Sequence, residues 1–118
     1  MTEMTQMSTL DTATCGPCQS GDGLLTPDQM NALQQHIHTD WQIAPDQQSL
    51  TRHFTFKGFA KAVYLANLCA WLADREGHHP DVRFGWGYTT VILTSHEANG
   101  LTENDFIWAR KFDKALEL

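Results

Sequence analysis

A stretch with helical periodicity lies between two stretches with strand periodicity, and this ordering constrains the fold more than any other feature. From about Gly58 to Glu76, Phe59, Ala62, Val63, Ala66, Ala70 and Ala73 recur on one stripe, widened by Leu65, Leu68 and Leu72. Gly77 is placed to stop that helix. Before it, Leu50, Phe54 and Phe56 alternate with Thr51, His53 and Thr55, the pattern of a half-buried strand over Leu50–Phe56. Arg52 interrupts that face and is expected near a sheet edge. After it, Trp86, Tyr88, Thr90 and Ile92 alternate with Thr89, Val91 and Leu93 within Phe84–Thr94. This predicts a strand, or a strand bent near Gly87.

Helices are also signalled at both ends of this block. Thr26, Pro27 and Gln29 make a capping box with proline at the first helical position, and Leu25 with Met30 make a hydrophobic staple. Met30, Leu33 and Ile37 then share a face, so a helix should run to about His38. A short strand is predicted over Trp41–Ala44, with a turn at Pro45-Asp46. Thr102 as N-cap, Asp105 at the third helical position and Leu101 with Phe106 predict a last helix to about Leu116, with Ile107, Phe112 and Leu116 inward. The resulting order predicts an α+β two-layer domain. Its expected form is an antiparallel four-stranded sheet with three helices on one face.

A chain of 118 residues has room for one such domain. Residues 1–23 are rich in Thr, Ser, Gly and Asp and hold no aromatic residue, so they are expected to form a flexible leader before a domain at 24–118. The charge is uneven. All 8 Lys and Arg lie from Arg52 onward, so the net charge of -6 belongs to the first half. An acidic chain without a basic cluster is a poor nucleic-acid binder. No basic region suited to a secretory signal precedes an apolar run, and no run reaches the roughly 20 residues of a membrane span. A cytoplasmic location is therefore expected.

Of the three cysteines, Cys69 falls in the apolar helix and should be a small buried hydrophobe. Cys15-Gly-Pro-Cys18 has the spacing of a redox motif, but no strand-like run precedes it. Two sulfurs would make half of a zinc site, completed by His36 and His38 or by a partner chain. The plainer reading is a pair in a mobile tail.

Six histidines are present. His36 and His38 close a surface helix and His53 lies on the polar side of a strand, so all three are expected to be solvated. His78 and His79 follow a helix stop and precede Pro80, which sets two imidazoles on a short restricted loop. His96 stands just past a strand end. The run Asp74-x3-His78-His79-Pro80, with Trp86, His96 and Asp105 after it, resembles the signature of the pterin-4a-carbinolamine dehydratases. The likeness extends to Trp41, Phe54-x-Phe56 and Gly100-Leu101-Thr102, about 95 residues from Thr26 onward. Gly77, Val82 and Trp86 depart from residues common in animal members, which bears on substrate affinity. The Cys-x-x-Cys leader is similar to that of some bacterial members.

The resemblance implies dehydration of a 4a-hydroxy-tetrahydropterin to quinonoid dihydropterin, recycling pterin for an aromatic amino acid hydroxylase. Loss of water needs an acid at the 4a-hydroxyl and a base at N5–H, and histidine serves both near neutral pH. It implies His78, His79 and His96 as catalytic residues, with His78 and His96 as the proton-transfer pair. Asp74, Pro80, Ser95, Glu97, Ala98 and Asp105 join them around the pterin, and no metal or other cofactor is needed. Asp74, one turn before His78, is expected to hold its imidazolium. Asp105 reads as a helix cap before it reads as a substrate contact. A homodimer or homotetramer is implied. Two other roles remain open: a regulatory or dimerisation-cofactor role on the same fold, and metal binding by the three histidines.

Overall fold

The computed structural model describes Leu10, residues 13–16 and residues 23–117. Its elements are α1 (Pro27–Gln34), β1 (Gln42–Ile43), β2 (Leu50–Thr55), α2 (Ala60–Glu76), β3 (Asp81–Gly85), β4 (Tyr88–Leu93) and α3 (Glu103–Glu117). A 3-10 turn, His96–Ala98, links β4 to α3. The four strands form one antiparallel sheet in the order β1-β2-β4-β3. With the helices as a second layer this is the expected two-layer α+β fold. No helix among the described residues is long and apolar enough to cross a membrane.

The ends of the helices follow local chemistry. Thr26 and Gln29 exchange side-chain-to-backbone bonds of 3.2 and 2.9 Å, completing the capping box of α1. At the end of α2, Gly77 takes the left-handed conformation, φ 68°, and its N–H donates to Ala73 at 2.9 Å. The alternating run after α2 is a hairpin rather than one bent strand, because Trp86-Gly87 turns β3 onto β4 with Gly85 opposite Tyr88. Gly87 sits at φ 86°, and a Cβ there would come within 3.2 Å of the Phe56 carbonyl.

Burial shifts two of the expected faces. On α2 the inward residues are Ala62, Leu65, Cys69, Leu72, Ala73 and Glu76, whereas Phe59 is exposed. Leu65, Cys69 and Leu72 set the buried line, flanked by Ala62 and Ala73, while Tyr64 and Trp71 lie on the exposed side with Phe59. Ile107 and Phe112 of α3 are buried as expected, but Leu116 is exposed in the last turn. Cys69 lies in the core, and burial pushes its thiol pKa up to about 12.

Arg52 is not at an edge. Strand β2 is interior, and Arg52 points to the covered face, where its Nη1 lies 2.8 Å from Asp113 Oδ1 on α3. The guanidinium stacks 4.5 Å over the Phe54 ring. The same carboxylate accepts from Trp41 Nε1 at 2.8 Å and from the His38 N–H at 2.7 Å. Arg52 therefore keeps the period-2 pattern of β2 and is compensated from another element.

Only part of the leader lies within the described residues. Leu10 is fully buried in the core, and Ala13 and Cys15 pack against it. Residues 1–9, 11–12 and 17–22, Cys18 among them, lie outside the described residues.

Candidate active site

The left-handed turn at Gly77 carries the chain off α2 so that His78 faces the seam between α2 and α3. Its side chain is 11% exposed, and Nε2 lies 2.7 Å from Asp105 Oδ1. Asp105 is the third residue of α3 and is wholly buried. Its other oxygen accepts from the Thr102 N–H at 3.0 Å and from the Ser95 hydroxyl at 2.9 Å. Ser95 Oγ is also 2.7 Å from Thr102 Oγ1. One carboxylate thus joins the α2–β3 loop, the β4–α3 loop and the first turn of α3.

An ionised carboxylate only accepts hydrogen bonds, so paired with it His78 carries its proton on Nε2. That leaves Nδ1 as the nitrogen able to exchange a proton. A buried carboxylate in this position selects tautomer and ring orientation, as in catalytic triads built on other folds. Asp105 is a helix cap, as its spacing predicts, and also the partner of His78. Asp74 does not hold His78; it lies 3.6 Å from His79 Nε2, and both side chains face solvent, at 88% and 65% exposure. So open an ion pair contributes little. Asp74 sits one turn too early to follow His78 around the Gly77 reversal.

His79 and Asp74 open onto a 410 Å³ cavity between α2 and β3, together with Asn67, Pro80, Val82 and Phe84. This volume falls within the usual range of small-molecule sites. His96, itself exposed, begins the 3-10 turn directly after Ser95, and Asn99 closes that turn in the left-handed conformation. Among the described residues no hydrogen bond or ring contact joins the His96 side chain to His78 or His79. The two segments meet instead through Ser95 and Asp105. Glu97 is exposed beside His96, whereas Ser95 and Ala98 are buried, with the Ser95 hydroxyl already committed to Asp105 and Thr102. Among the described residues no three His, Cys, Asp or Glu side chains gather closely enough to hold a metal ion. His36, expected to be solvated, has its Nε2 buried, while His53 is exposed and bonded to Thr90 at 2.7 Å. The Ser95–Thr102–Asp105 network was missed in the sequence, where only the cap spacing hinted at it.

Residues 23–115 match the model of the family described as pterin 4 alpha carbinolamine dehydratase. The chain belongs to this family. A Legionella pneumophila (strain Corby) protein, named as a candidate pterin-4-alpha-carbinolamine dehydratase, is 38% identical over 109 residues, 92% of this chain and 96% of that one. An alignment of that length in a 118-residue chain necessarily takes in residues 10–16. A similarly named Paracoccus denitrificans (strain Pd 1222) protein is 48% identical over 75 residues, covering 64% of this chain and 70% of that one. Among solved structures, one described as a transcriptional coactivator/pterin dehydratase from Brucella melitensis has a TM-score of 0.70 and 32% identity. It covers 77% of this chain and 96% of that one. A pterin dehydratase-like RuBisCO assembly factor of the alpha-carboxysome shares the fold, with a TM-score of 0.55 at 24% identity over 65% of this chain and 89% of that one. Pterin carbinolamine dehydration is the activity for which the family is named.

The double duty of Asp105 has a measurable consequence. Asp105→Asn keeps the shape but places an NH2 group against one of the two sets of donors. It should cost about 1–3 kcal/mol, the range for an unsatisfied buried polar group. Turnover should fall in the same protein, because the orientation of His78 goes with it. A melt and a rate measured on one preparation check this; a destabilised variant with wild-type turnover would make Asp105 a cap alone.

Proposed function

We propose that this chain dehydrates a 4a-hydroxy-tetrahydropterin to the quinonoid dihydropterin by histidine acid and base catalysis. The reading is carried by the hydrogen-bonded Asp105, which anchors His78 on one side and, through Ser95, the segment bearing His96 on the other. In the reaction one imidazolium protonates the 4a-hydroxyl, which leaves as water. A neutral imidazole takes the N5 proton, and the C4a–N5 bond becomes double. His78 and His96 are the proton-transfer pair, and His79 orients the ring system at the cavity mouth with Asp74 and Pro80. Glu97 and the backbone around Ser95 and Ala98 contribute the opposite edge. The residues named can complete this reaction without a metal or redox group.

The product is consumed in pterin recycling for an aromatic amino acid hydroxylase, and the chain works in the cytoplasm, apart from nucleic acid. A homodimer or homotetramer fits the exposed row of Tyr64 and Trp71 on α2 and the open edge of β3. A second, regulatory reading is favoured by the Brucella relative, whose description joins coactivator to dehydratase. The discriminating experiment is to generate the 4a-hydroxy-pterin in situ and follow quinonoid dihydropterin formation. The enzyme should accelerate it in proportion to concentration; a rate equal to buffer would leave only the regulatory reading.

A further inference from the structure

We infer that residues 13–16 form a strap that positions the His78–Asp105 pair, with Gly16 and Asn104 as its positioning residues. The inference rests on the dehydratase reading above only for its effect on turnover; the contacts stand independently. The strap bridges the two elements that carry the pair. On the α2 side, the Cys15 N–H donates to Glu76 Oε1 at 3.2 Å, two residues before His78. On the α3 side, the Gly16 N–H donates to Asn104 Oδ1 at 3.1 Å and Asn104 Nδ2 donates to the Gly16 carbonyl at 2.7 Å, one residue before Asp105. The Cys15 thiol adds a 3.4 Å bond to the Asn104 carbonyl.

The anchor points are themselves firm. Glu76 is a buried carboxylate whose second oxygen is held by Lys111 of α3 at 3.0 Å. Leu10, fully buried, roots the chain upstream of the strap. The paired bonds of Asn104 with Gly16 imitate a strand ladder and fix distance and angle together. His78 and Asp105 are 27 residues apart and meet only where the end of α2 faces the start of α3. A brace across that gap limits how far the two can part. Small errors matter here, since a displacement of about 1 Å in a catalytic group can cost on the order of 10²-fold in rate.

Two substitutions test the strap from opposite ends. Asn104→Ala removes both side-chain bonds but keeps the backbone N–H that donates to Thr102 Oγ1. Gly16→Pro removes the leader's donor and sets the ring Cδ against Asn104 Oδ1, so it unseats the strap without changing any residue of α3. The first readout is solvent exchange of the His78 Nε2–H proton by NMR, which needs no substrate. Both variants should speed that exchange by about tenfold and lower kcat by about tenfold, with KM within about twofold. Gln29→Ala, which breaks a comparable bond at the distant cap of α1, should change neither. Exchange in both variants within about twofold of wild type would overturn the strap, whatever the rates. Should Asn104→Ala fail to fold, Gly16→Pro decides alone. An inactive wild type would sink the dehydratase reading, and the exchange measurement would still decide the strap.

Discussion

His78→Ala is expected to lower dehydration by about 10²–10⁴-fold, the usual contribution of one positioned acid or base. The ring is nearly buried, its Nε2 is engaged by Asp105 and its Nδ1 is the one nitrogen left for proton exchange. Truncation also strips Asp105 Oδ1 of its donor inside a buried network, which costs about 1–3 kcal/mol. The rate must therefore be taken well below the variant's melting temperature. His78→Gln separates the two effects. Its amide can donate to Asp105 but cannot carry a proton to or from substrate, so stability should largely return while activity stays low. His53→Ala, on the open face of the sheet, should turn over like wild type. A His78→Gln protein with wild-type kcat would remove His78 from the chemistry.

The largest stability effect is expected at Asp113→Ala, at about 3–5 kcal/mol. One carboxylate there satisfies Arg52, Trp41 and the His38 backbone together. Arg52 and Asp113 side chains are 10% and 11% exposed, and Arg52 Nε already lacks a partner among the described residues. Losing the carboxylate leaves a near-buried positive charge uncompensated, which costs far more than the pair contributes. The melting temperature should fall by more than about 10 °C. Arg52→Met with Asp113→Leu should recover most of that loss, because it removes both charges. A double variant no more stable than Asp113→Ala would show that the Trp41 and His38 bonds, not the charge, carry the effect.

These two sites also mark how far the sequence could be read. The caps at Thr26 and Gly77, the alternation of β2 and the spacing of His78-His79-Pro80 are local signals, each set within a few residues. The hairpin was half legible: Gly87 marked a bend, but pairing of Gly85 with Tyr88 depends on where the chain folds back. Arg52 looked like a flaw in a strand face because its partner lies 61 residues away on α3. Asp74 looked like the partner of His78 because helical spacing places it one turn earlier. The left-handed turn at Gly77 then swings His78 toward Asp105, whose cap spacing disclosed only half its work.

The sequence by itself determined the order of helices and strands, the two-layer α+β class, the family resemblance and the histidines worth testing. These rest on backbone propensity, periodicity and motif spacing, which act along the chain. The tertiary structure decided which carboxylate serves which cation, which face of α2 is buried and where residues 13–16 lie. Those outcomes follow from burial, which demands a partner for every buried polar group and takes it from whatever element is nearest in space.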